Sequence, residues 1–425
     1  MNPKLRLSFA LLAAVPFLMV LGNSMLFPIF PKLQSELQLT GFQTSLIVTA
    51  FSVPAGLLIP IAGYLSDRYG RKPVMAPALI IFGLGALVSG LSVTFLGVAA
   101  YPGLIAGRII QGAGAAGMAQ LAMALSADIF QGGQRAKVMG QLEAANGLGK
   151  VVSPIAGAIA GVVLWLLPFY LFAALSIPVG FLLWFLVREP KKKSVHDRKF
   201  SEYYRDFQGV FQTKGRSIGA LLLSGTVVLF ILFGTLFYLA EVLEKRYGMS
   251  ELSSGFILAL PVGAMSATSL LVGNYLAKRA SYAKLVIISG TLLVGGVMVV
   301  NAFFTDRWVL FAVISLMGFG GGFVLPTLTL LFTSATEPGE RGMITSLYGG
   351  VRFIGVALGP PTFGWLMHKG TTLLFLTAAG LLAGTAIAVF AFLNLKEVLG
   401  AQATGQTRDK YVIAFVPRPR PRESQ

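Results

Sequence analysis

Apolar residues in this chain come in long unbroken blocks rather than in alternating or one-sided patterns. No charged residue occurs from Leu37 to Ser66, nor from Pro73 to Gly107. About twenty helical residues cross the roughly 30 Å hydrocarbon core of a bilayer. Set against charge and proline punctuation, the blocks predict twelve helices, near residues 8–30, 43–66, 74–95, 98–125, 138–163, 168–187, 217–240, 252–277, 284–304, 308–333, 342–366 and 371–395. No stretch has the ten-residue alternation of an outer-membrane barrel. The expected fold class is therefore an all-α polytopic membrane protein.

Between the blocks, the charges are one-sided. If both termini share a face, most of the 34 lysines and arginines fall on it, which predicts that both termini are cytoplasmic and that the protein is multi-pass in the cell membrane. The midpoint is residues 188–216. It opens with REPKKK and then places Phe200, Tyr203, Tyr204, Phe207, Val210 and Phe211 at helical spacing, which predicts a surface-lying amphipathic helix. Residues 1–187 and 217–395 then form two six-helix bundles, and 396–425 a disordered basic tail whose arginines meet lipid headgroups rather than nucleic acid. The halves are related. A shift of 206 residues lays Gly112 on Gly318, Arg135 on Arg341, Gly149 on Gly355 and Pro154 on Pro360. A parallel six-helix repeat belongs to transporters that rock around a central site.

Composition narrows the chemistry. The chain has 425 residues, 55% of them hydrophobic and 12% charged, with a net charge of +17, no cysteine and two histidines. Thiol chemistry, disulfides and iron–sulfur clusters are excluded, as are most zinc sites. No metalloprotease motif and no phosphate-binding GxxxxGK[ST] loop occurs. Neither an enzyme nor an ATP-driven pump fits, and no metal or cofactor is expected.

Three motifs then carry a resemblance. GYLSDRYGRKPVM (63–75) is similar, almost position for position, to the signature loop between helices 2 and 3 of the major facilitator superfamily. LIAGRIIQGAGAA (104–116), with Arg108 and Gln111, resembles its helix 4 motif. Gly140, Gly149, Ser153-Pro154 and Gly157-Ala158 resemble the helix 5 signature of the twelve-helix drug:proton antiporters, with serine and alanine in place of two glycines. The resemblance implies two pseudo-symmetric six-helix bundles and an exporter driven by the proton gradient. Its partners would be protons, the lipid bilayer and a small amphipathic substrate, and it would act as a monomer.

The resemblance also implies that Asp67, in a loop with Gly63, Arg68, Gly70, Arg71 and Lys72, meets the start of helix 11 near Gly342 as a conformational latch. Arg68 and Arg71 can pair with Asp128. On helix 5, Gly149, Ser153 and Gly157 lie within about 80° of each other and form a shallow face for close helix approach, while Pro154 permits a bend. Charges inside the hydrocarbon cost at least a few kcal/mol each. Arg108, Glu143, Lys150 and Arg352 are therefore expected to line a wet cavity with Asn146, and Asn23 and Glu241 are further candidates. Arginine does not exchange a proton in proteins. Glu143 is the first candidate for the proton, Glu241 the second, and Lys150 a third, because burial disfavours a charged amine. With three cations against one or two acids and no acid on helix 1, neutral or anionic amphiphiles are favoured over cations. Alternatives are a dedicated metabolite exporter, a sugar or nucleoside transporter, and a sensor without flux.

Overall fold

The computed structural model describes residues 3–130, 132–190, 200–304, 306–334 and 341–399. Among them there is no strand, and each of the twelve predicted intervals is mainly helical. The elements are α1 (Pro3–Ser24), α2 (Phe30–Glu36), α3 (Gly41–Tyr69), α4 (Arg71–Leu96), α5 (Tyr101–Ala115), α6 (Ala119–Ile129), α7 (Gly132–Val163), α8 (Leu167–Leu186), α9 (Phe200–Lys245), α10 (Glu251–Lys278), α11 (Ala283–Phe303), α12 (Arg307–Ser334), α13 (Arg341–Met367), α14 (Thr371–Phe392) and α15 (Leu395–Leu399). Among the described residues, ten stretches are long and apolar enough to cross a membrane by length and composition. One of them, Arg71–Ile129, contains two of the predicted segments.

Two predicted segments are interrupted. The first breaks between α1 and α2, where Pro28 and Pro31 cannot donate backbone hydrogen bonds. The fourth breaks at residues 116–118 between α5 and α6, where the glycines Gly112, Gly114 and Gly117 weaken the helix.

Two expectations at the segment edges change. The helix predicted within 188–216 is not a separate element, because α9 runs unbroken from Phe200 to Lys245. No proline interrupts that interval, and its isolated glycines weaken a helix without ending it. Residues 191–199 lie outside the described residues. Likewise the predicted tail begins in a short helix: in α15 Val398 is buried, and Glu397 accepts hydrogen bonds from Ser217 Oγ at 3.2 Å and Asn394 Nδ2 at 2.9 Å. The rest of the tail, 400–425, lies outside the described residues.

The internal repeat is visible in the packing. In the first half α1 packs on α7 and α8, α3 on α5, and α4 on α5 and α8. In the second half α9 packs on α13 and α14, α10 on α12, and α11 on α12 and α14, which is the same set of pairs. The halves meet along two symmetry-related seams, α3 against α13 and α7 against α10. At the first seam Gly56 lies on the Gly350 carbonyl and Thr49 Oγ1 donates to the Ala357 carbonyl at 2.6 Å. At the second, Gly255 lies on the Pro154 carbonyl.

Candidate functional site

The charged loop that ends α3 is tied to its own half of the molecule. Gly70 turns the chain with φ 101°, a conformation that side chains rarely adopt. Arg71 Nε donates to Asp128 Oδ2 at 2.6 Å. The Glu189 carboxylate, just beyond α8, accepts the backbone N–H groups of Arg71 at 2.8 Å and Lys72 at 3.0 Å. It occupies the positive end of α4, where unpaired N–H groups and the helix dipole favour an anion. Lys72 Nζ donates to the Val187 carbonyl at 2.9 Å and lies 5.7 Å from the Trp184 ring centroid. Glu189 was missing from the sequence reading, although it is the first acid after the sixth segment and stands alone in a basic run.

Asp67 is exposed, and the Arg68 guanidinium lies 5.4 Å from the Tyr69 ring centroid. The antiparallel seam that sets Gly56 on Gly350 also sets Gly63 on Ser346. One turn further along, Asp67 is level with the first turn of α13. The side chains of that turn lie outside the described residues.

The small-residue face of α7 meets α1. Gly149 packs on Phe17, Ser153 Oγ donates to the Leu21 carbonyl at 3.2 Å, and Gly157 packs on the Met25 carbonyl. Each contact advances one turn on both helices. Gly140 faces open space and takes no part in this contact. The repeat reproduces the arrangement, with Gly355 on Thr226 and Gly359 on Phe230 between α13 and α9.

Between the halves lies a cavity of about 590 Å³. It runs from Met19 and Ser24 on α1 to Ala127, Arg135 and Thr333, which end α6, begin α7 and end α12. This is the face that carries the basic loop. Toward the opposite face the halves are joined by rings, Phe27 on Phe233 at 5.9 Å and Phe30 on Phe237 at 6.0 Å.

Glu143, Asn146, Lys150 and Arg352 all line the cavity, where the cost of charge in hydrocarbon led them to be expected. Lys150 is within electrostatic reach of both Arg352 and Glu143. Among the described residues neither cation forms an ion pair. The Asn146 Oδ1 atom is buried without a hydrogen-bond partner. Apolar walls come from Met19, Met265, Leu236, Phe233 and Phe353.

Three candidates, Arg108, Gln111 and Glu241, are placed differently. Arg108 is not in the cavity but is fully buried, with Nε donating to the Ile47 carbonyl at 3.1 Å and Nη1 to the Gly22 carbonyl at 3.3 Å and Gln111 Oε1 at 2.6 Å. Its guanidinium lies 4.5 Å from the Phe51 ring centroid. Gly22 is in the last turn of α1, where backbone carbonyls lack helical partners, so protein supplies the acceptors expected from water. Gln111 is buried with it. Glu241 sits at the opposite face, in a small pocket with Gln34 and Thr44, paired to Lys245 at 2.7 Å. It misses the cavity because the Phe30–Phe237 contact lies between. The side chain of Asn23 lies outside the described residues.

Gln120 and Tyr348 line the cavity and were not foreseen. Tyr348 is one turn before Arg352, a spacing that shares a helix face and could have identified it. Nothing in the sequence marks Gln120.

The chain matches the family model of the Major Facilitator Superfamily over residues 12–360 and 221–420. It is 37% identical over 371 residues to the bacillibactin exporter of Bacillus subtilis (strain 168), covering 87% of this chain and 92% of that one. It is 26% identical over 361 residues to the class B tetracycline resistance protein of Escherichia coli, covering 82% and 86%. The crystal structure of a D-xylose-proton symporter superposes with a TM-score of 0.72 at 16% identity, covering 94% of this chain and 99% of that chain, a likeness of fold.

Proposed function

This chain belongs to the Major Facilitator Superfamily, whose members are transporters and not enzymes, and we propose that it is a secondary exporter of small amphipathic compounds, neutral or anionic, exchanged for protons. The observation that carries the reading is the cavity between the two halves, where apolar walls surround three cations and one carboxylate. The basic face is cytoplasmic on this reading, the chain makes twelve passes of the cell membrane, and substrate enters from inside. Rocking about the two seams then opens the aromatic contact at the far face. Asp67 latches the cytoplasmic side against α13, and Arg71, Asp128 and Glu189 keep the latch loop in shape. Glu143 carries the proton, being the one carboxylate in the cavity wall among the described residues. No cofactor is required, and the monomer is the working unit.

A second reading has its own support. The relative at 37% identity bears the name of an exporter of one compound, which favours a single metabolite over a broad range of drugs.

The test is proton flux in proteoliposomes holding a pH-sensitive dye, challenged with anionic, neutral and cationic amphiphiles. Anionic or neutral compounds should drive proton movement in the wild type and fail to do so in Glu143→Gln. Flux with cations alone contradicts the charge preference, and flux retained by Glu143→Gln moves the proton to another group.

A further inference from the structure

The cavity holds an arrangement that an exporter of any amphiphile does not need. Arg352 and Tyr348 are one turn apart on α13, and the guanidinium carbon lies 5.0 Å from the Tyr348 ring centroid. Tyr348 is in turn stacked on Phe332 of α12, with centroids 4.5 Å apart and planes at 25°. Both rings are buried, at 4% and 0% exposure, and hold each other by stacking at the cavity wall. The long arginine side chain is thus parked against a fixed plane, which lowers the entropy lost when its N–H fork engages a ligand.

From the other half, Lys150 lines the same cavity and carries the same charge. These two cations outnumber the single Glu143 carboxylate in a partly apolar wall and neither forms an ion pair among the described residues, which leaves positive charge for an anion to meet.

Resting on the exporter reading above, we propose that Arg352 and Lys150 bind the carboxylate of a planar aromatic acid. A carboxylate conjugated to a ring stays in the ring's plane. The acid then meets the guanidinium fork in two parallel hydrogen bonds, and its ring continues onto the apolar wall that includes Phe233, Leu236 and Phe353. A saturated acid of equal bulk carries its carboxylate on a tetrahedral carbon and cannot align both groups. Because Lys150 and Arg352 belong to different halves, the ligand also draws the halves together.

The experiment is calorimetric titration of the purified full chain with three matched probes: 2-naphthoate, decahydro-2-naphthoate and 2-naphthamide. The wild type should bind 2-naphthoate about fivefold or more tightly than either control. Arg352→Lys, which keeps the charge and loses the plane, should bring 2-naphthoate to the level of the saturated acid. Lys150→Gln should weaken both acids alike and leave the amide unchanged. Equal binding of the two acids overturns the planar class while the exporter reading stands, and equal binding of the amide overturns the anion. Binding of no probe overturns the inference, and only if proton flux is also absent in proteoliposomes does the exporter reading fall with it. The comparison of three probes on the wild type decides the matter even if a variant does not fold.

Discussion

The seam between α1 and α7 makes a sharp prediction, because two glycines on it differ in what a single methyl group would meet. A Cβ on Gly149 would come to 3.2 Å from Phe17 Cδ2 and 3.3 Å from the Phe17 carbonyl oxygen, tight contacts that a few tenths of an ångström relieve. A Cβ on Gly157 would overlap the Met25 carbonyl oxygen, which is backbone and has no rotamer to escape into. Alanine in place of glycine within a helix gains about 0.5–1 kcal/mol. For Gly149→Ala this offsets the strain, leaving a change within about 0.5 kcal/mol. For Gly157→Ala the helices must part by roughly 1 Å, and overpacking of that kind costs about 1–3 kcal/mol. At mid-range the helical gain leaves a net loss of about 1 kcal/mol. Parting the helices also stretches the Ser153–Leu21 hydrogen bond one turn away. Thermal unfolding of both purified variants, followed by tryptophan fluorescence, measures the contrast, and proteoliposome flux measures its consequence. Gly157→Ala unfolding at the same temperature as Gly149→Ala, with full flux, would refute the reasoning.

Three further predictions concern contacts around the seams and the basic loop. Glu189→Gln removes the charge that caps α4 and should destabilise the protein by about 1 kcal/mol, read as an earlier thermal transition that Glu189→Asp partly restores. Thr49→Val deletes the hydrogen bond between the halves at the Ala357 carbonyl, worth about 1 kcal/mol. It should shift the balance between open and closed seam about fivefold, seen as altered spin-label distances between α3 and α13, and unchanged distances would show that this bond does not hold the seam. Asp67→Asn should weaken the state in which Asp67 meets α13 by about 1 kcal/mol, lowering flux while folding persists, and full flux would remove the latch.

Much of the architecture could be read from the chain alone, because the bilayer imposes rules that act locally. Unbroken apolar blocks must be helices where no water can satisfy the backbone, and lysine and arginine must gather on one face. The repeat paired helices before any were seen: laying Gly149 on Gly355 anticipated that α7 on α1 and α13 on α9 are the same joint. The cost of charge in hydrocarbon was equally legible, and it placed Glu143, Asn146 and Lys150 at one cavity.

The tertiary structure decided which neighbour each face meets. Arg108 and Lys150 are both lone cations in apolar helices, yet one donates to carbonyls of α1 and α3 and the other lines the cavity. That difference lies in the rotation of each helix within its bundle, which packing sets and no local pattern records. Glu189 caps a helix more than a hundred residues away in sequence, and the Tyr348 ring beside Arg352 is itself stacked on Phe332, which arrives from α12. The sequence determined the helices, their order and their symmetry. Packing turned the same charged residues into a joint, a cap or a binding site, because a buried charge is defined by its partners, and those come from other helices.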